Sequence, residues 1–131
     1  MIVLDASAAF EIAMFRPKRE IFLEFLTNDS EIVAPEFFIA ECTNVAWKYL
    51  KTGYFESENE AKLTLTYVLQ MVTKYTCSAD YSIEVLHEAN RLNHAAYNMY
   101  YYVLARDNVA TLLTVDEKLA KICRENGVNV A

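Results

Sequence analysis

Short apolar runs alternate with longer stretches of helical spacing along the whole chain. Ile2-Val3-Leu4 has two β-branched residues and reads as a short buried strand. Asp5 stands where that run ends, and Ser7 offers a hydroxyl cap to a helix suggested by Ala8 to Ile12. Arg16-Pro17-Lys18-Arg19 then interrupts the pattern. Pro17 suits the first turn of a second helix, with Ile21, Phe22, Phe25 and Leu26 at helical spacing. Glu31 to Pro35 reads as a second strand, stopped by its proline. Glu36 to Leu50 is helical, and Gly53 suits its C-terminal cap. Ser57-Glu58-Asn59-Glu60 is a capping box opening the next helix.

Thr73 to Cys77 reads as a third short strand, and Tyr81 to Leu92 as a helix. His94 to Arg106 is a strongly apolar helix bearing Tyr97, Tyr100, Tyr101 and Tyr102. Ala110 to Thr114 is a buried strand, and Thr114-Val115-Asp116-Glu117 a second capping box. The helix that follows runs to Asn126 and ends at Gly127, and Val128-Asn129-Val130 reads as a last strand. Strands alternating with helices predict one α/β domain over residues 1–131, a three-layer α/β/α arrangement with a short parallel sheet flanked by helices.

Composition narrows the function. A 54% hydrophobic fraction supplies a core, and a net charge of −6 leaves no electrostatic footprint for non-specific duplex binding. A nucleic-acid partner would need a bound cation or a local basic patch. Arg16, Lys18 and Arg19 form the only dense patch, a solvated loop or a set of phosphate contacts. Cys42, Cys77 and Cys123 lack metal-ligand spacing and read as reduced, buried thiols of a cytosolic protein. The N-terminus has no signal-peptide pattern, and no apolar run approaches membrane-spanning length. The aromatic excess of Phe22, Phe25, Phe37, Phe38, Trp47 and Tyr49 predicts a homodimer.

Four residues with side-chain oxygens invite a chemical reading. In an open parallel sheet, ligands bind outside the carboxyl ends of the strands, and Asp5 and Asp116 both follow strands. Each also has a plainer role, Asp5 as a turn or cap residue and Asp116 as a first-turn acid on the helix dipole. Glu41 lies among apolar neighbours in its helix, and is either a solvated position or a buried acid that needs a partner. Asn98 sits in the tyrosine-rich helix, as a buried amide bonded to backbone or as a ligand. Converging carboxylates without a basic partner make sense around Mg²⁺ or Mn²⁺, which take oxygen ligands. His87 and His94 lack a second ligand at helical spacing and read as surface or structural residues. The tyrosines read as core or interface. No Gly-rich phosphate loop is present.

Three stretches carry a resemblance. Ile2-Val3-Leu4-Asp5-Ala6-Ser7-Ala8, Pro35 to Asn44 with Glu41, and Tyr97 to Ala105 followed by Leu112 to Asp116 together resemble a PIN domain. They resemble in particular the small VapC-type toxins of type II toxin–antitoxin pairs. The resemblance implies a parallel sheet flanked by helices and Mg²⁺- or Mn²⁺-dependent cleavage of RNA with water as nucleophile. It also implies frequent homodimers and inhibition by a small antitoxin protein. Asp5, Glu41, Asn98 and Asp116 fall on the family's catalytic and metal-holding positions, with Ser7 supporting Asp5. One position departs: the family's third acid is normally an aspartate after tyrosine, and here it is Asn98. Loss of that charge weakens the hold on a cation. The alternative reading is a catalytically impaired PIN fold acting as a binding or regulatory module. A phosphoacceptor domain built on Asp5 lacks the paired acid and opposing lysine it would need.

Overall fold

The computed structural model describes all residues, Met1–Ala131. Four strands, β1 (Ile2–Leu4), β2 (Ile32–Pro35), β3 (Lys74–Thr76) and β4 (Thr111–Leu113), form one sheet in the order β3-β2-β1-β4. Every pairing is parallel, with Ile2 opposite Ile32 on one side and Thr111 on the other. Parallel pairing demands crossovers, and seven helices supply them: α1 (Ala6–Ala13), α2 (Arg19–Leu23), α3 (Phe37–Lys51), α4 (Glu58–Gln70), α5 (Ser82–Leu92), α6 (Ala96–Asp107) and α7 (Glu117–Glu125). Strands β1 and β2 are buried along their full length, as their unbroken apolar runs require. The core is closed by Phe10, Phe22, Phe38, Tyr101 and Tyr102, all fully buried.

The strand order reverses direction at β1. The chain steps outward from β1 to β2 and β3, then returns to lay β4 on the other side of β1. That reversal opens a crevice beyond the carboxyl ends of β1 and β4, the place where open α/β sheets bind ligands.

Several sequence expectations change here. Asp5, not Ser7, is the N-cap of α1, and Asp116, not Thr114, is the N-cap of α7. Both aspartates hold extended backbone and reach back-bonding distance of the first turn. The two hydroxyls are drawn instead into bonds across the strand ends. The second helix begins after Pro17 and stops at Leu23, leaving Phe25 and Leu26 in turns bonded to residues three back. Residues 128–130 make only one bridge, Val130 beside Leu112, rather than a strand. A 3₁₀ turn at Ser78–Asp80 has no apolar signature to announce it. Cys42 and Cys123 are buried, but Cys77 is exposed. Of the aromatics read as a dimer surface, Phe22 and Phe38 belong to the core, while Phe25 and Trp47 are exposed.

Candidate active site

Asp5 is 5% exposed at the end of β1. One carboxylate oxygen, Oδ1, accepts the Ala8 backbone N–H at 2.8 Å and the Ser7 hydroxyl at 2.7 Å. The other, Oδ2, accepts a short bond from the Thr114 hydroxyl. Thr114 in turn accepts the Asp116 backbone N–H at 3.0 Å, and Ser7 accepts that of Val115, also at 3.0 Å. Asp5 is therefore fixed from three sides, and its two hydroxyl partners tie β1 to the turn after β4. No cation pairs with it. Burial pushes its carboxyl up to about 6, against the lowering pull of those hydrogen bonds.

Helix α6 reaches the other acids. Tyr101 donates its hydroxyl to Glu41 Oε1 at 2.7 Å. Three residues earlier, on the same face, Asn98 Nδ2 donates to Asp116 Oδ2 at 3.0 Å. The same amide nitrogen lies 3.0 Å from His94 Nε2. Asp116 Oδ1 accepts the Lys118 and Leu119 N–H groups of its own helix, at 2.9 and 3.1 Å. Glu41 is raised above the usual carboxylate range by burial, partly offset by Tyr101.

Asp5, Ser7, Glu41, Asn98 and Asp116 all line one cavity of about 350 Å³, together with Arg16, Tyr49 and Tyr101. The basic patch read from the sequence divides. Arg16 lines the cavity. Lys18 is ion-paired to Glu117 at 2.8 Å, and Arg19 donates to the Ile12 carbonyl at 2.9 Å, so both are occupied elsewhere. Thr114 and Tyr101 escaped the sequence reading. The signal for Thr114 was parallel register, which puts the residue after Leu113 beside the residue after Leu4. The signal for Tyr101 was its spacing from Asn98.

The donor set suits a hard divalent cation in kind, being oxygen throughout. Glu41 Oε2 and the Asn98 carbonyl oxygen take no protein donor. The carboxylates alone do not suffice, for no three Asp, Glu, His or Cys side chains form a group able to hold a metal ion. A cation here would draw on the Asn98 amide oxygen and on water beside the carboxylate oxygens within reach.

A parallel sheet with acidic oxygens gathered beyond its switch point is an arrangement suited to metal-assisted chemistry, and the family supplies the class. The PIN domain family model matches residues 2–125, and the chain belongs to that family. PIN domains are in general metal-dependent nucleases. The crystal structure of PAE2754 from Pyrobaculum aerophilum is similar in fold, with a TM-score of 0.69 and 24% sequence identity. The match covers 92% of this chain and 84% of that one. No curated protein matches the sequence.

Proposed function

We propose that the protein is an endoribonuclease hydrolysing RNA phosphodiester bonds at this cavity with Mg²⁺ or Mn²⁺, in the manner of a VapC-type toxin. The observation that carries the reading is the convergence of Asp5, Glu41, Asn98 and Asp116 on one cavity at the carboxyl edge of the sheet. Bound there, the cation supplies positive charge at the scissile phosphate and lowers the pKa of attacking water. Asp5 and Asp116 hold ligand oxygens in fixed directions, because each is anchored to a helix N-terminus through its other interactions. Ser7 and Thr114 orient Asp5. Tyr101 fixes one Glu41 oxygen and leaves the second free. The toxin reading brings with it a cytoplasmic setting, a small antitoxin and a homodimer. Exposed Ile83 and Leu86, one turn apart on α5, together with Trp47 and Tyr97, supply apolar surface for such contacts. No helix is long and apolar enough to cross a membrane.

A second reading, an impaired PIN module that binds without cleaving, is favoured by one contact. Asn98 already supplies Asp116 with a hydrogen-bond donor, so that oxygen has a partner without a cation. Asn98→Asp separates the two. That substitution sets a carboxylate against Asp116, so in chelator the variant should melt lower than the present chain. With Mn²⁺ it should gain more, since native-state binding adds stability by mass action, about 2.7 kcal/mol at a hundredfold excess over Kd. Single-stranded RNA should be cut by both chains in metal and faster by the variant. No cleavage by either, with Asp5→Asn equally silent, would leave the binding module.

A further inference from the structure

Arg16 is the only cation lining the acid cavity, and no carboxylate lies within ion-pair distance of it. Its surroundings are aromatic. The guanidinium carbon sits 5.1 Å from the Tyr49 ring centroid and 5.6 Å from that of Tyr54. Tyr49 is a firm backing, itself packed on Phe10 and Phe55 at 6.0 and 5.8 Å, whereas Tyr54 is 57% exposed. The guanidinium is held beside both rings and within hydrogen-bonding reach of the two tyrosines, and with five N–H donors it keeps further ones for a planar, two-oxygen partner.

The backbone aims this side chain. Helix α1 ends in a Schellman turn: Arg16 N–H bonds to Glu11 O at 3.0 Å, and Phe15 N–H to Ile12 O at 3.4 Å. The turn requires a left-handed residue, and Phe15 takes it at φ 54°. Glycine is usual there, and a phenylalanine is strained by about 1–2 kcal/mol. Arg19 packs on one side of the Phe15 ring, its guanidinium carbon 4.3 Å from the centroid, while the residue stays largely exposed. Arg19 thus serves the turn, Lys18 is paired with Glu117, and Arg16 is left facing the cavity.

We propose that Arg16, stacked on Tyr49 and Tyr54, anchors a backbone phosphate of single-stranded RNA independently of metal, with the exposed Tyr54 ring stacking the adjacent base. This rests on the nuclease reading of the same cavity. The chemistry favours a nucleic-acid phosphate over a lone carboxylate ligand because the strand that carries the phosphate also brings a base for the open Tyr54 ring. Phosphate presents the two-oxygen edge that a fixed guanidinium matches, and base stacking on an aromatic face tolerates any sequence.

The test measures binding, not turnover. A short labelled single-stranded RNA is titrated with the protein in chelator, and anisotropy is followed across a salt series. Arg16→Ala should weaken binding about tenfold or more and lower the slope of log K against log salt by about 0.7, one phosphate contact's share on a single strand. Arg16→Lys should restore the slope but only part of the affinity. Tyr54→Ala should weaken binding about fivefold or more, while Tyr54→Phe should bind as the parent chain. Lys62→Ala, which removes an exposed α4 charge paired with Glu58, should leave affinity and slope in place. Melting curves confirm that each variant is folded. A folded Arg16→Ala with unchanged affinity and slope overturns the proposal, as does a parent chain that binds no RNA in chelator. Cleavage is scored separately: slopes that shift as stated in a chain that never cuts RNA keep the anchor and dismiss the nuclease.

Discussion

The turns that follow β1 and β4 share a plan and differ in setting. In each, an aspartate caps the next helix with one oxygen, bonds a neighbouring side chain with the other, and lines the same cavity. Asp5 is buried, and its second oxygen meets a threonine hydroxyl. Asp116 is half-buried, and its second oxygen meets the Asn98 amide. The cap is thus the common frame, and depth decides what else the acid does. A buried, unpaired carboxylate is a store of unfavourable charge that a cation can relieve. A half-buried one needs no such relief.

Substitutions at the two turns sharpen this contrast. The largest effect belongs to Asp5→Asn, which should lower RNA cleavage in Mn²⁺ by about 10² to 10³ or more, the scale for losing one charge-stabilising group. A rate within threefold of the parent would place the chemistry elsewhere.

Stability against pH comes next. The folded pKa of Asp5 lies above its unfolded value, so the folded state binds the extra proton between about pH 4 and pH 6. Its contribution is therefore full below pH 4 and lost as pH rises through 6. Across that window it should remove on the order of 3 kcal/mol in chelator. Denaturant melts of the parent chain and Asp5→Asn, compared at pH 4 and pH 7, isolate the difference. Parallel curves would mean that Asp5 is better solvated than its burial indicates.

Thr114→Val strikes the bond joining the two turns. It strips a hydroxyl from Asp5 and an acceptor from the Asp116 N–H, and should destabilise by about 1–3 kcal/mol. Calorimetry would measure it, and a variant melting as the parent does would show that water replaces the hydroxyl. The smallest effect is Asp116→Asn. Asparagine caps a helix as well as aspartate, so stability at pH 7 should change by less than about 0.5 kcal/mol. A loss comparable to that at Asp5 would erase the distinction between the turns.

The sequence disclosed the parts of these turns unevenly. β-Branched and apolar runs made β1, β2 and β4 legible, because a fully buried parallel strand has no polar face to disguise it. Asp5, Glu41, Asn98 and Asp116, four of the residues that line the cavity, stood out by position after a strand or within an apolar helix. The caps were misassigned because hydroxyl and carboxylate compete locally, and the winner was set by a partner 107 to 109 residues away. The same separation hid Thr114. Arg16 could not be told from Lys18 and Arg19 by spacing, since only the Schellman turn and the two tyrosines single it out. Val128 to Val130 had the right alternation but too little length beside β4 to form more than one bridge.

The pairing of β1 with β4 also sets a clock. The inner strand β1 is made well before β4, one of its two neighbours, which begins only at Thr111. At about 5–20 residues per second of synthesis, the Asp5 turn waits several seconds for Thr114 to appear. Until then half of β1 has no partner and Asp5 lacks its second hydroxyl. The cavity is consequently formed after the helices that precede β4, closed only when β4 and the turn after it have been delivered. A nascent chain of this protein carries its acids in order but has no place in which to use them.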